Sequence, residues 1–402
     1  MRRALITFAF VLAACSADGD AEPTTAPQPS DPTVATTLAE PSSTTATLAP
    51  TTTVASTTTT VAIDDTVLAY QPVADLDFPV QLTARPGDTA AYVITKVGRV
   101  WLYDGAAVSE EPVLDISDQV RNNSEQGLLS IALHPEDPTL LYLHYSTLEG
   151  DTVVSEFALS SPTEAIPGSE RVLLQVDQPA ANHNGGMLQF MPDGKLLLGL
   201  GDGGGGGDDF GNGQNPDTLL AGLVVLDVAG DDPNPTKYAM GLRNPWRFWI
   251  DGTSIYVADV GQGLFEEVSV SETLEPGRNY GWPIYEGLHC YDAPICEGEG
   301  LVAPIVEIRH GEAGTCSITG GVVYRGAAIP QLDGHYFYSD YCGGYLRSLV
   351  YANGEATDLR DWTDQVGVPG QVTGFGVDGA GEMYVTTNQQ LLKHVPEPTG
   401  SG

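Results

Sequence analysis

Pro192-Asp193-Gly194 followed by Leu196-Leu197-Leu198 is one of six copies of a unit that decides the fold. In each copy a turn rich in Asp, Gly or Pro precedes a short apolar and aromatic strand. The other five are Pro86-Gly87-Asp88 before Ala91-Tyr92-Val93-Ile94, Pro135-Glu136-Asp137-Pro138 before Leu141-Tyr142-Leu143, Asp251-Gly252 before Ile255-Tyr256-Val257, Asp333-Gly334 before Tyr336-Phe337-Tyr338, and Asp378-Gly379 before Met383-Tyr384-Val385. Asp, Gly and Pro adopt the dihedrals a tight turn needs, and branched or aromatic side chains fit a pleated surface. The copies recur at intervals of about fifty to eighty residues, the length of a four-stranded sheet with variable loops.

Val100-Trp101-Leu102-Tyr103, Val153-Val154, Leu223-Val224-Val225-Leu226 and Val322-Val323-Tyr324 supply further strands, and no long amphipathic helix pattern separates them. The expectation is an all-β, six-bladed β-propeller with four-stranded antiparallel blades over residues 63–397. Loops from separate blades then converge at one end of a central channel, so residues distant in sequence share a site. The longest interval holds Gly281-Trp282-Pro283, Cys290 and Cys296, which predicts an inserted loop over one face.

Outside that body, Met1-Arg2-Arg3, an apolar run from Ala4 to Val11 and Leu12-Ala13-Ala14-Cys15 have the order of a secretory signal. A small-residue site ending on cysteine resembles the bacterial lipobox. Residues 1–15 then read as a lipoprotein-type signal peptide ending at an acylated Cys15, with ordinary cleavage at Ala14 as the alternative. Residues 16–62 are nearly all Thr, Ser, Ala, Pro and acid, a composition that builds no core. They read as a disordered linker that holds the body roughly 35 to 40 Å from a membrane anchor on the extracytoplasmic face of a bacterial cell.

The chain has 402 residues and a formal charge of -36, from 17 basic against 53 acidic residues. So few cations exclude nucleic acid as a partner, because phosphate contacts need clustered Lys and Arg. The acid reads as a self-repelling soluble surface, or in part as calcium ligands. Cys290, Cys296, Cys316 and Cys342 remain as an even set once Cys15 is set aside, as suits an oxidising compartment. Three pairings are formally open; Cys290 with Cys296 and Cys316 with Cys342 are favoured, against free or metal-bound thiols.

Four segments carry candidate chemistry. Asn182-His183-Asn184-Gly185-Gly186 puts an imidazole, the side chain suited to proton transfer near neutrality, on a tight loop; a structural histidine is the alternative. Arg243-Asn244-Pro245 offers a guanidinium and a carboxamide on consecutive residues, for an oxyanion or for tying loops together. Asp259-Val260-Gly261-Gln262 supplies oxygen donors for a cation. The acidic, glycine-rich loop 201–217 matches no EF-hand or phosphate loop and reads equally as a calcium site or as flexible chain.

Together with Glu125-Gln126-Gly127-Leu128-Leu129, His134-Pro135, Gly201-Asp202-Gly203, Asn279-Tyr280-Gly281-Trp282 and Thr319-Gly320-Gly321, these segments resemble the glucose/sorbosone dehydrogenase family over about residues 70 to 395. That family includes soluble pyrroloquinoline-quinone (PQQ) dependent sugar dehydrogenases and the propeller of hedgehog-interacting protein. The resemblance implies PQQ on a calcium ion at the channel mouth, a sugar substrate and an external electron acceptor. His183 matches the catalytic histidine, and Asn182 stands where relatives often carry an aspartate that orients it. Arg243 and Asn244 match cofactor-binding residues, Gly261 and Gln262, with Asp259 beside them, match the calcium site, and Glu125 stands near the substrate.

The resemblance is incomplete. Sugar dehydrogenases add a lysine and a pair of arginines from the last two blades, where this chain has Cys342 and Pro369-Gly370-Gln371; Arg325 and Arg347 are the nearby candidates to compensate. Two functions follow: an extracytoplasmic oxidoreductase that oxidises an aldose hydroxyl with hydride transfer to PQQ, or a cofactor-free, calcium-dependent propeller that binds a glycan or protein. The sequence is silent on oligomeric state.

Overall fold

Each of the six sequence units becomes the second strand of a four-strand antiparallel run in the computed structural model, which describes residues 62–397. The second strands are Ala91–Thr95, Leu140–Ser146, Leu196–Leu200, Ser254–Asp259, His335–Asp340 and Met383–Thr387. Each pairs on one side with a first strand: Pro79–Ala84, Leu128–Leu133, Leu188–Phe190, Pro245–Asp251, Ile318–Val323 and Val372–Val377 in turn. The only α-helix among the described residues is the single turn Thr363–Val366.

Alternation explains why these strands hold together. Along Ala91–Thr95 every residue is buried, yet Tyr92 and Ile94 pack with Leu141 and Leu143 of the next run, whereas Ala91 and Val93 pack with Tyr384 and Leu391 of the last. The same division repeats at every boundary between consecutive runs, giving six apolar clusters. Successive side chains point to opposite faces, so a strand apolar on both faces belongs between two sheets. Each fully buried aliphatic or aromatic side chain contributes about 1.5–3 kcal/mol.

Hydrogen bonding draws the sheets differently from six separate sets of four. The first and last runs merge into one eight-stranded sheet through a short parallel pairing of Leu82 with Gly376 and Thr83 with Val377. The last run is completed by the earliest strand, Leu68–Asp75, which pairs antiparallel with Gln390–Pro396. Two other sheets gain a fifth strand, Glu164–Ala165 and Arg278–Asn279. The long interval contains the expected insertion, a hairpin of Tyr285–Glu286 and His289–Cys290. Disulfides join Cys290 to Cys296 and Cys316 to Cys342, the favoured pairings. The signal-peptide and lipidation expectations at residues 1–15, and the linker expectation but for Ala62, lie outside the described residues.

Candidate functional site

The starts of the first strands gather one set of side chains, and a cavity of about 360 Å³ lies among them, lined by Phe78, Lys96, Glu125, Asn244, Trp246 and Thr319. Beside it, His183 adopts a left-handed backbone with φ 55° and is almost wholly buried. A non-glycine residue held there costs free energy that its surroundings must offset. Glu125 does so: its Oε2 accepts the main-chain N–H of His183 at 2.8 Å and the Asn244 carboxamide at 3.0 Å. Asn244 in turn accepts the N–H of Gly185 at 2.9 Å.

The imidazole Nδ1 lies 2.7 Å from Oδ1 of Asp202, a buried carboxylate whose other oxygen accepts the Trp282 indole N–H at 2.9 Å. An ionised carboxylate only accepts, so a ring hydrogen sits on Nδ1, and in the neutral imidazole Nε2 is the nitrogen that carries the lone pair. Nε2 has no hydrogen-bond partner among the described residues. The loop reaches this position because residue 201 is glycine, since a Cβ there would lie 2.0 Å from the His183 carbonyl oxygen.

Arg243 and Asn244 are fixed by Asp259, which accepts their two main-chain N–H groups at 2.8 and 2.6 Å. Burial raises the Asp259 pKa to about 7, against the lowering effect of those N–H groups and of the Arg243 charge. The guanidinium donates to Val260 O and to Gln262 Oε1 at 2.9 and 3.1 Å and lies 5.7 Å from the Trp282 ring centre. Buried polar atoms without partners remain close by: both amide atoms of Asn184, the residue after the histidine, and Oγ1 of Thr319 on the cavity wall.

A family profile described as Glucose / Sorbosone dehydrogenase matches residues 76–392. The chain belongs to the glucose/sorbosone dehydrogenase family. Its fold is similar to that of the PQQ-bound aldose sugar dehydrogenase of Streptomyces coelicolor, with TM-score 0.67, 20% identity, and coverage of 82% of this chain and 98% of that one. The apo-form soluble aldose sugar dehydrogenase of Escherichia coli gives TM-score 0.68 at 21% identity, covering 82% and 100%. Among curated proteins, HIPL1 protein of Arabidopsis thaliana is 27% identical over 64% of this chain and 50% of its own length. Hedgehog-interacting protein of Homo sapiens is 25% identical over 80% and 50%. The chain therefore spans about half the length of these curated relatives.

In this glucose/sorbosone dehydrogenase family member several expected placements change. Asn182 does not orient the histidine: its amide bonds the main chain of Gly205, and the histidine's partner is Asp202. Asp259 accepts a main-chain N–H at each oxygen and so braces Arg243 and Asn244. The side-chain oxygen of Gln262 is likewise used by Arg243 and by the N–H of Gly207, which leaves main-chain oxygens at Gly261 and Gln262. Arg325 follows the far end of strand Ile318–Val323 and is tied to Asp251 and Asp333, away from the end where Thr319 lines the cavity. Arg347 is tied to Asp361 and Glu312. Neither arginine lines the cavity.

Two acids of the glycine-rich loop brace its own main chain. Asp208 accepts the N–H groups of Asn212 and Gly213, and Asp209 accepts that of Gly206. Among the described residues one cluster has metal-ligand spacing, Cys316, Asp340 and Cys342, but its sulfurs form a disulfide. Asp340 there accepts main-chain N–H groups from Cys316, Ser317, Cys342 and Gly343. Sequence reasoning missed the pairing of Asp202 with His183, the indole of Trp282 behind it, and Lys96. Gly201-Asp202-Gly203 was the available signal, an acid between two glycines that let it approach another chain segment.

Proposed function

We propose that this chain is an extracytoplasmic sugar oxidoreductase whose six strand runs are the blades of a propeller and whose cavity receives PQQ and an aldose. The observation that carries the reading is the His183–Asp202 pair, with Nε2 unbonded and the orphaned polar atoms of Asn184 and Thr319 close by. The cavity volume is within the usual range for small-molecule sites, and Phe78, Trp246 and Tyr341 give it flat aromatic walls that suit a planar heterocycle. Arg243 and Asn244 would hold the cofactor's oxygens, and main-chain oxygens at Gly261 and Gln262 would hold calcium. When bound, PQQ supplies a two-electron quinone acceptor, and an external acceptor reoxidises it.

His183 then acts as general base. Its Nε2 would take the proton of the sugar hydroxyl as hydride passes from the carbon bearing that hydroxyl to the quinone, and Asp202 would fix the tautomer and stabilise the imidazolium. Glu125 positions the histidine loop. An acyl anchor at Cys15 and the linker after it would place this chemistry at the outer membrane face.

The test is reconstitution with PQQ and calcium followed by dye reduction across aldoses. Activity that disappears in His183→Ala supports the proposal; no dye reduction with any aldose overturns it. A second reading, a cofactor-free calcium-dependent module that binds a glycan or protein, is favoured by the withdrawal of Arg325 and Arg347 into surface ion pairs. Capture of a glycan or protein with no redox signal would decide for it.

A further inference from the structure

Lys96 follows the second strand of the first run and points its stem across the chain at Gly127, where a Cβ would lie 2.4 Å from the lysine Cγ. A side chain at residue 127 would close that path. The lysine is only 8% exposed and lines the cavity. Its ammonium donates to the carbonyl oxygen of Ser124 and lies 5.2 Å from the ring centre of Phe78. It forms no ion pair among the described residues, and the Glu125 charge acts on it only through space.

Surface lysines extend their charge into water, but this one is withdrawn, with two of its three donors uncommitted. Burial lowers its pKa, a cost that an arriving anion offsets. The wall also carries the Glu125 carboxylate, whose Oε2 is bonded to the His183 N–H and the Asn244 amide; the other cavity groups are aromatic, hydroxyl or amide, so Lys96 is the one cation on the wall among the described residues.

We infer that Lys96 receives a carboxylate of the ligand in this cavity, supplied either by the cofactor or by an acidic sugar. The inference rests on reading the cavity as the ligand site. It gives the first blade a charge-assisted contact that Arg325 and Arg347 do not provide.

Binding of PQQ, galacturonate and galactose is measured by calorimetry on the whole protein in calcium buffer, for wild type, Lys96→Met and Lys96→Arg. Lys96→Met keeps the stem and should weaken the carboxylated ligand by about 10- to 100-fold, while Lys96→Arg restores part of the affinity. Weakening confined to PQQ assigns the carboxylate to the cofactor, and weakening confined to galacturonate assigns it to the sugar. Equal affinities in wild type and Lys96→Met, or no preference of wild type for galacturonate over galactose together with no binding of PQQ, overturn the inference. Because binding is read without turnover, absence of dye reduction with neutral aldoses defeats the proposed function and leaves the Lys96 result standing. Should Lys96→Met fail to fold, the salt dependence of wild-type affinity decides: it must be steep for the carboxylated probe and flat for galactose.

Discussion

Asp202 does at the residue scale what no neighbour can replace, since its two oxygens fix the tautomer of His183 and the indole of Trp282 at once. Asp202→Asn keeps the shape but puts a donor where an acceptor is needed. Steady-state kinetics should show kcat lower by about 10- to 100-fold with KM little changed. A different residue contributes to acid stability. His394 is fully buried, neither ring nitrogen has a partner, and burial lowers its pKa to about 3. The unfolded chain protonates this ring as pH falls through about 6.5 while the folded chain does not, so stability present above that pH is lost on the way down to the folded pKa. The loss is about 1.4 kcal/mol per pH unit for one proton. His394→Phe removes the difference, and denaturant melts between pH 7 and pH 4 should show a shallower decline than wild type.

Strands were legible in the sequence because their apolar residues alternate between two neighbours, as Tyr92 and Ile94 do against Ala91 and Val93. Turn residues marked where each second strand begins, and the favoured cysteine pairs matched spans the fold could close. The pairing of Leu68–Asp75 with Gln390–Pro396 was not legible, because nothing in either segment names a partner more than three hundred residues away. The same distance problem hid the site's internal bonds: the loop at Asp202 was visible as acidic and glycine-rich, but which group its carboxylate meets depends on how two sheets face each other. At this scale the Cys316–Cys342 bridge, with a separation of 26 residues, ties the start of strand Ile318–Val323 to the loop after His335–Asp340. Replacing both cysteines with serine should cost about 3 kcal/mol, seen as a lower denaturation midpoint. The six-residue Cys290–Cys296 loop should contribute less to the midpoint.

Across the whole molecule, one buried side chain links the fourth run to two others: Arg247 donates to the carbonyl oxygens of Val80 at 2.9 Å and Leu129 at 3.2 Å. Gly320 and Gly374, from the fifth and last runs, leave it room. Burial lowers its pKa to about 9, and no carboxylate is paired with it among the described residues. Arg247→Leu would leave buried carbonyls without donors, and thermal melting should register a loss on the order of 2–5 kcal/mol. Three of the chain's cations, Arg243, Arg247 and Lys96, are buried. The most direct measurement loads the protein with PQQ and calcium, passes it through gel filtration, and follows the quinone absorbance of the protein fraction before and after an aldose is added. Absorbance should travel with the protein, bleach with substrate in wild type and persist in His183→Ala; absorbance that elutes wholly apart from the protein would rule out a quinone site here.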